Sequence, residues 1–298
     1  KIYIVCVLYL SHYIYIYIYI YIYIYNYIMI SIIGIGFVGG AMKKSFGIKG
    51  KKVIAYDKYK TINTFEETLD TKIMFLCLPT LYDEKTKSYD KEPIYETCNR
   101  LEDNKYTGLV IIKSTVEPHT TNDLSERFPT LKFVHNPEFL TAKTAFEDFH
   151  NQKHIVIGKS INVNNKDIEP LIELYTELYP DADISISSSI ESESMKSFVN
   201  CFYSVKVQFF NELYLTCQAN NCNYNNVRDL MLKNGWINKM HTDVPGPDGK
   251  LSYGGYCFPK DTNALLQHMN SVGISGDVLS ATINERNKMR DDNVNIQS

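Results

Sequence analysis

The apolar run Ile30 to Ile33 enters GIGFVGG, and no other stretch of the chain narrows its fold so far. Gly34, Gly36 and Gly39 form GxGxxG, a spacing that alone arises by chance. Here the glycines follow a buried strand and open a helical pattern, and Asp57 ends the next strand, KKVIAYD, at about the spacing of a ribose-binding acid. Gly34 suits the tight turn, Gly36 lets backbone approach a pyrophosphate, and Gly39 allows close helix-strand packing, while the helix start offers N–H groups to phosphate. The expected ligand is a dinucleotide. An acid at Asp57 favours NAD over NADP, with Lys58 and Lys60 nearby pulling the other way.

KIMFLCLP (72–79) and GLVIIKST (108–115) are further strand patterns, separated by amphipathic stretches such as IYETCNRLEDN. LKFVH and HIVIG continue the strands, and DIEPLIELYTELY reads as another helix. The order β-α-β-α-β predicts an α/β, Rossmann-like, doubly wound parallel sheet with helices on both faces. The pattern changes at SSSIESES, where Ser188 and Glu191 have capping-box spacing. From Met195 to Cys217 there is no Pro or Gly and the apolar residues recur at helical intervals, which predicts one long helix. NNVRDLMLKNG and FPKDTNALLQHM predict two more helices, on either side of the loop VPGPDGKLSYGG.

A chain of 298 residues, 44% hydrophobic and 22% charged, suits one or two globular domains. The net charge of -3, with no basic face, argues against a nucleic-acid partner. Seven cysteines without a CxxC pair fit a reducing compartment, so the expected location is the cytoplasm. One segment stands apart: residues 13–25 read YIYIYIYIYIYIY. As structure this is an unprotected edge strand, and its apolar surroundings are long enough to span a bilayer. Repeated TA dinucleotide read in triplets also yields Tyr-Ile, and residues 1–28 are expected to be such a translated repeat, leaving no membrane role. The expected boundaries are 29–190 for a dinucleotide-binding domain and 191–298 for a helical one.

Four groups of residues could carry chemistry. Cys257, before Pro259, is placed at a helix start with Lys260 close by; both features favour a thiolate, and Gly254 and Gly255 leave room for substrate. Asp261 is placed to handle a proton or a water. A lone cysteine is more often inert and buried, as expected of the other six. Lys196 and Asn200, four residues apart on the long helix, could converge on one oxyanion, although a helical Lys is usually a solvated charge. NPEFLTA follows a strand end and offers Glu138, and Thr115 ends another strand; a loop cap is the competing reading for each. His150 and His154 lack the catalytic Glu of a helical zinc motif and read as surface histidines, so no metal is expected.

Taken together, GIGFVGG, LPT, KSTVEP, NPEFL, the helix with Lys196 and Asn200, and GGYCFPKD resemble the nucleotide-sugar dehydrogenases of the UDP-glucose/GDP-mannose type, in that family's order from about Met29 onward. The resemblance implies NAD as cofactor and two successive oxidations of a sugar C6 alcohol to a carboxylate, with UDP-glucose as the expected substrate. GDP-mannose, a UDP-N-acetylhexosamine, or a non-catalytic NAD-binding remnant are the alternatives. It implies cofactor contacts at Gly34, Gly36, Val38, Gly39, Asp57, Thr80 and Thr115. Substrate contacts are implied at Phe139, Leu140, Lys196, Asn200, Gly254, Gly255 and Lys260. Cys257 would form a thiohemiacetal and then a thioester, Lys196 and Asn200 would stabilise the oxyanion, Asp261 with Thr115 would orient base and water, and Glu138 would assist hydrolysis. The helical domain is expected to form a homodimer. Ala142 stands where many members carry a second acid, and the chain stops where the family usually continues into a nucleotide-binding domain.

Overall fold

The computed structural model describes residues 29–292, so the Tyr-Ile run and the expectations for residues 1–28 lie outside the described residues. The strand β1 (Ile30–Ile33), the helix α1 (Phe37–Ile48) and the strands β2 (Val53–Tyr56) and β3 (Ile73–Leu76) follow in the expected order. After them come a hairpin of β4 (Tyr82–Asp83) and β5 (Ser88–Tyr89), the helix α2 (Glu92–Asp103), β6 (Leu109–Ile112), α3 (Thr120–Arg127) and β7 (Lys132–His135). A short helix α4 (Ala145–His150), β8 (His154–Lys159), α5 (Asn165–Leu178) and β9 (Asp183–Ser188) complete the first half. The helices α6 (Ser189–Ala219), α7 (Tyr224–Leu232), α8 (Phe258–Ser271) and α9 (Asp277–Met289) make up the second.

The sheet runs β2-β1-β3-β6-β7-β8-β9. Every residue of β1, β3 and β6 is buried, as expected of central strands covered on both faces, which is why their sequences are unbroken apolar runs. Between β7 and β8 the pairing is antiparallel, with Val134 opposite Lys159, so the sheet is mostly rather than wholly parallel. The segment linking them holds only α4 and a 3-10 turn, and it returns the chain to the sheet edge it left instead of crossing over. The core around the sheet includes Phe46, Phe75 and Tyr175, with Phe46 and Phe75 ring centroids 5.8 Å apart in edge contact.

The chain divides into two compact units. The first holds the described residues up to Leu78 together with 96–113 and 121–187; the second holds 79–95, 114–120 and the rest from Ser188. In the second unit α6 is 31 residues long and starts with the capping box its sequence announced: Glu191 N donates to Ser188 Oγ (3.3 Å) and Ser188 N to Glu191 Oε2 (2.8 Å). Cys201 on α6 packs with Leu265 of α8 and with Leu279 and Ile283 of α9. The opposite side of α6 leaves Phe198, Phe202 and Phe209 exposed. No helix among the described residues is long and apolar enough to cross a membrane.

Candidate functional site

The glycine turn of the first unit is held by backbone. Gly34 N donates to Tyr56 O (2.8 Å), and Gly34 sits at φ +89°, in the left-handed region, where a Cβ would lie 2.5 Å from Cys77 O. A Cβ on Gly39 would lie 2.0 Å from Gly34 O, so α1 can approach β1 this closely only through a glycine. Gly36 caps α1 with no side-chain hydrogen bond, and a Cβ there would meet nothing within 4 Å. No side chain therefore stands over the helix start at Gly36, the condition for a phosphate to approach backbone N–H groups there. Val38 packs half-buried against the core behind.

Asp57 is drawn into the same turn. Its Oδ2 accepts from Ile35 N (2.8 Å) and its Oδ1 from Tyr59 N (3.0 Å). Lys58 ion-pairs with Glu96 (3.0 Å) and Lys60 donates to Ile35 O, so both lysines already have partners on the protein. The open glycine turn with an acid beside it fits a dinucleotide, with backbone for its phosphates and a carboxylate at the end of the second strand.

The NPEFL loop follows β7 in the first unit. Glu138 is half-buried and its Oε2 accepts from Leu140 N (2.7 Å). Phe139 is exposed and stacks on His154 with ring centroids 6.1 Å apart, while Leu140 packs against the core. Beneath the loop, buried Lys113 donates to Asn136 Oδ1 and Pro137 O, both at 3.1 Å, and Asn136 Nδ2 donates to Val156 O (2.6 Å). His154 is exposed as expected, whereas His150 is half-buried with its Nδ1 hydrogen-bonded to Ser45 Oγ (3.0 Å). No cluster of three metal-ligating side chains occurs among the described residues.

The second unit gathers the remaining residues. Cys257 is the N-cap of α8 and is exposed, and Pro259 falls in the helix's first turn. One turn on, Asp261 is wholly buried and its backbone N donates to Cys257 O (2.9 Å). Its carboxylate accepts three hydrogen bonds: from Lys260 Nζ (2.5 Å) and Tyr89 Oη (2.6 Å) on Oδ1, and from Asn200 Nδ2 (2.6 Å) on Oδ2. Burial pushes the Asp261 carboxyl up, but the Lys260 charge and the three donors outweigh it and hold the group below its ordinary value. Lys196 is not the solvated lysine that helices usually carry: it is 4% exposed, on the same face of α6 as buried Asn200. Thr80 Oγ1 donates to Thr115 O (2.7 Å), which ties those two positions together.

The loop leading to Cys257 is gripped by α9 and the residue that follows it. Arg286 Nε donates to Tyr253 O (3.3 Å), and Arg290 Nη1 to Leu251 O (3.2 Å). Arg290 also pairs with Asp248 (2.7 Å) and Asp292 (2.5 Å). A Cβ on Gly254 would lie 2.4 Å from Arg290 Nη2, whereas Gly255 faces open space. The expectation that the other six cysteines are buried holds for Cys98, Cys201 and Cys217 and needs correction at two positions, because Cys77 is half-buried and Cys222 is exposed after α6; Cys6 lies outside the described residues. Cys77 and Cys98 are shielded enough that burial pushes each thiol up to about 12. Sequence reasoning missed Tyr89, Lys113, Arg286 and Arg290. Lys113 sits inside KSTVEP, where the sequence reading gave the lysine no role; no local pattern marks the other three, whose partners Asp261, Tyr253 and Leu251 lie far along the chain.

Comparison with known proteins bears on both units. The central-domain model of the UDP-glucose/GDP-mannose dehydrogenase family matches residues 190–288, and that family's NAD binding domain model matches residues 56–179. A UDP-glucose 6-dehydrogenase of Campylobacter jejuni is 30% identical over 232 residues, which cover 78% of this chain and 56% of the relative. The chain spans about half the length of the curated relatives it matches. Among solved structures, a UDP-glucose dehydrogenase of Pyrobaculum islandicum superposes with a TM-score of 0.78 at 23% identity, covering 87% of this chain and 68% of that one. A UDP-D-ManNAc dehydrogenase of Pyrococcus horikoshii gives 0.71 at 20% identity, over 88% and 68%. At such identities the two structures speak for the fold alone.

Proposed function

Because the chain belongs to the UDP-glucose/GDP-mannose dehydrogenase family, we propose that it is an NAD-dependent nucleotide-sugar dehydrogenase that oxidises C6 of UDP-glucose to the carboxylate of UDP-glucuronate. The observation that carries this reading is the pairing of an exposed cysteine at the start of α8 with a buried anion one turn later, tied to Lys260 and Asn200. A nucleophile beside a fixed charge array suits a reaction that passes through a covalent carbonyl adduct.

The C6 alcohol first loses a proton and a hydride to become an aldehyde. Cys257 Sγ adds to the aldehyde carbon, and the thiohemiacetal again carries a transferable hydrogen on C6. Loss of a second hydride and a proton leaves a thioester, which water cleaves to a carboxylate and the free thiol. Bound NAD supplies the acceptor for each hydride, so two NAD and one water are consumed per sugar. Cofactor contacts are assigned to Gly34, Gly36, Val38, Gly39, Asp57, Thr80 and Thr115. Lys196 supplies positive charge to the developing oxyanion, and Asn200, with one N–H on Asp261, has a second for that oxygen. Asp261 and Thr115 orient base and water, and Glu138 assists proton transfer during hydrolysis. Phe139, Leu140, Gly254, Gly255 and Lys260 contact the sugar nucleotide.

The proposed partner is a second copy of the chain. Phe202, Phe209, Trp236 and Met240 line a groove of about 620 Å³ on the second unit, and Trp236 is 92% exposed. An apolar surface of this kind is uncommon on a monomer. The reaction is tested by measuring NADH formed per sugar with UDP-glucose, GDP-mannose and UDP-N-acetylhexosamines. Two NADH per UDP-glucose are expected; one or none would remove the reading. Sedimentation measures the dimer.

A further inference from the structure

The hairpin of β4 and β5 puts a tyrosine into the cysteine site that none of the motifs announces. Tyr89 is 3% exposed and packs with Tyr82 and Ala264. Its hydroxyl donates to Asp261 Oδ1, and the Lys260 ammonium lies 4.6 Å from the centre of its ring. One side chain thus touches both members of the Lys260–Asp261 pair. Its backbone is fixed in turn, since Tyr89 N donates to Glu117 Oε1 (2.6 Å) and Glu117 pairs with Lys91 (2.9 Å). A fully buried carboxylate is costly unless every lone pair is used, and a charged donor beside it needs a fixed direction. The phenol meets the first need and the ring face the second.

We propose that Tyr89 is a positioning residue of this site: it keeps Asp261 an anion and aligns Lys260 beside it, ready for the chemistry of Cys257. The functional part of this proposal rests on the dehydrogenase reading; the electrostatic part stands without it. Among the described residues, the charged and titratable groups facing Asp261 include Lys260 from its own helix, Tyr89 from the hairpin and the buried Cys201 thiol from α6, with Glu117 behind Tyr89. Asn200 adds a neutral donor.

Tyr89→Phe removes the hydroxyl and keeps the ring. Because the folded Asp261 carboxyl titrates below its ordinary value, its stabilising effect is present above the ordinary carboxylate range and is lost as pH falls through the folded value. Removing a donor raises the folded value. The melting-temperature gap between wild type and Tyr89→Phe is therefore expected to be wide at neutral pH and to close on acidification. Tyr82→Phe, which deletes a hydroxyl from the same cluster, is expected to show a gap that does not vary with pH. In turnover, kcat is expected to fall about tenfold with KM for the nucleotide sugar unchanged, the size of one lost charge-assisted hydrogen bond, and the acid limb of the kcat profile to move to higher pH. A pH-independent gap for Tyr89→Phe, or a wild-type kcat profile, would overturn the proposal. A wild-type protein that turns over no nucleotide sugar would instead remove the dehydrogenase reading, while the melting series still decides whether Tyr89 holds the anion.

Discussion

Two helix starts in this chain carry the glycine turn and Cys257, and they are built in opposite ways. At α1 the turn is backbone: Gly34 bonds to Tyr56, Gly39 rests on Gly34 O, and the cap carries no side chain. At α8 the turn is surrounded by side chains from distant segments, with Tyr89 arriving from 172 residues away and Asn200 from 61. A backbone site tolerates changes in neighbouring side chains but not an added carbon. A side-chain site fails when one donor or charge is removed.

The sharpest break in that comparison is Cys257→Ser. It should lower complete turnover by roughly a thousandfold or more while NAD binding and the melting temperature stay near wild type, because an exposed N-cap contributes little packing. Full turnover to the acid would erase the distinction between the two helix starts. Asp261→Asn comes next. Its amide would offer one neutral oxygen where the Lys260, Tyr89 and Asn200 donors converge and would remove the negative charge that Lys260 faces, at a cost of about 3 kcal/mol in urea unfolding.

Gly39→Ala tests the other start. Its methyl would press on a backbone oxygen that cannot rotate away, so about 2 kcal/mol of stability should be lost, with weaker NAD binding by calorimetry. The smallest effect is a difference in thiol labelling. At pH 8 iodoacetamide should modify Cys257 and Cys222 before Cys77 or Cys98, because burial raises the latter two to about 12 and leaves almost no thiolate. Labelling of Cys77 first, located by peptide mass spectrometry, would contradict the packing beneath the glycine turn.

Much of the fold was legible in advance because the signals were local. Buried apolar runs marked β1, β3 and β6, and Ser188 with Glu191 marked the start of α6. The hairpin at 82–89 was not legible, since each of its strands is two residues long and polar residues lie between them. The strand β9 was hidden by its serines, and α9 by the mixed polar sequence NERNKM. The reversed pairing of β8 depends on how α4 returns the chain, which strand composition does not record.

At the site itself the same division holds. The glycine spacing, Asp57 and the placement of Cys257 before Pro259 follow from sequence alone, because a turn, a strand end and a helix cap each depend on a few consecutive residues. The tertiary structure alone decided that Lys196 is buried, that Asn200 gives one N–H to Asp261, and that Tyr89 completes the shell around that carboxylate. Those facts arise from packing between segments far apart in the chain. A buried charge takes its donors from whichever segments the fold brings alongside it, and no local pattern names them in advance.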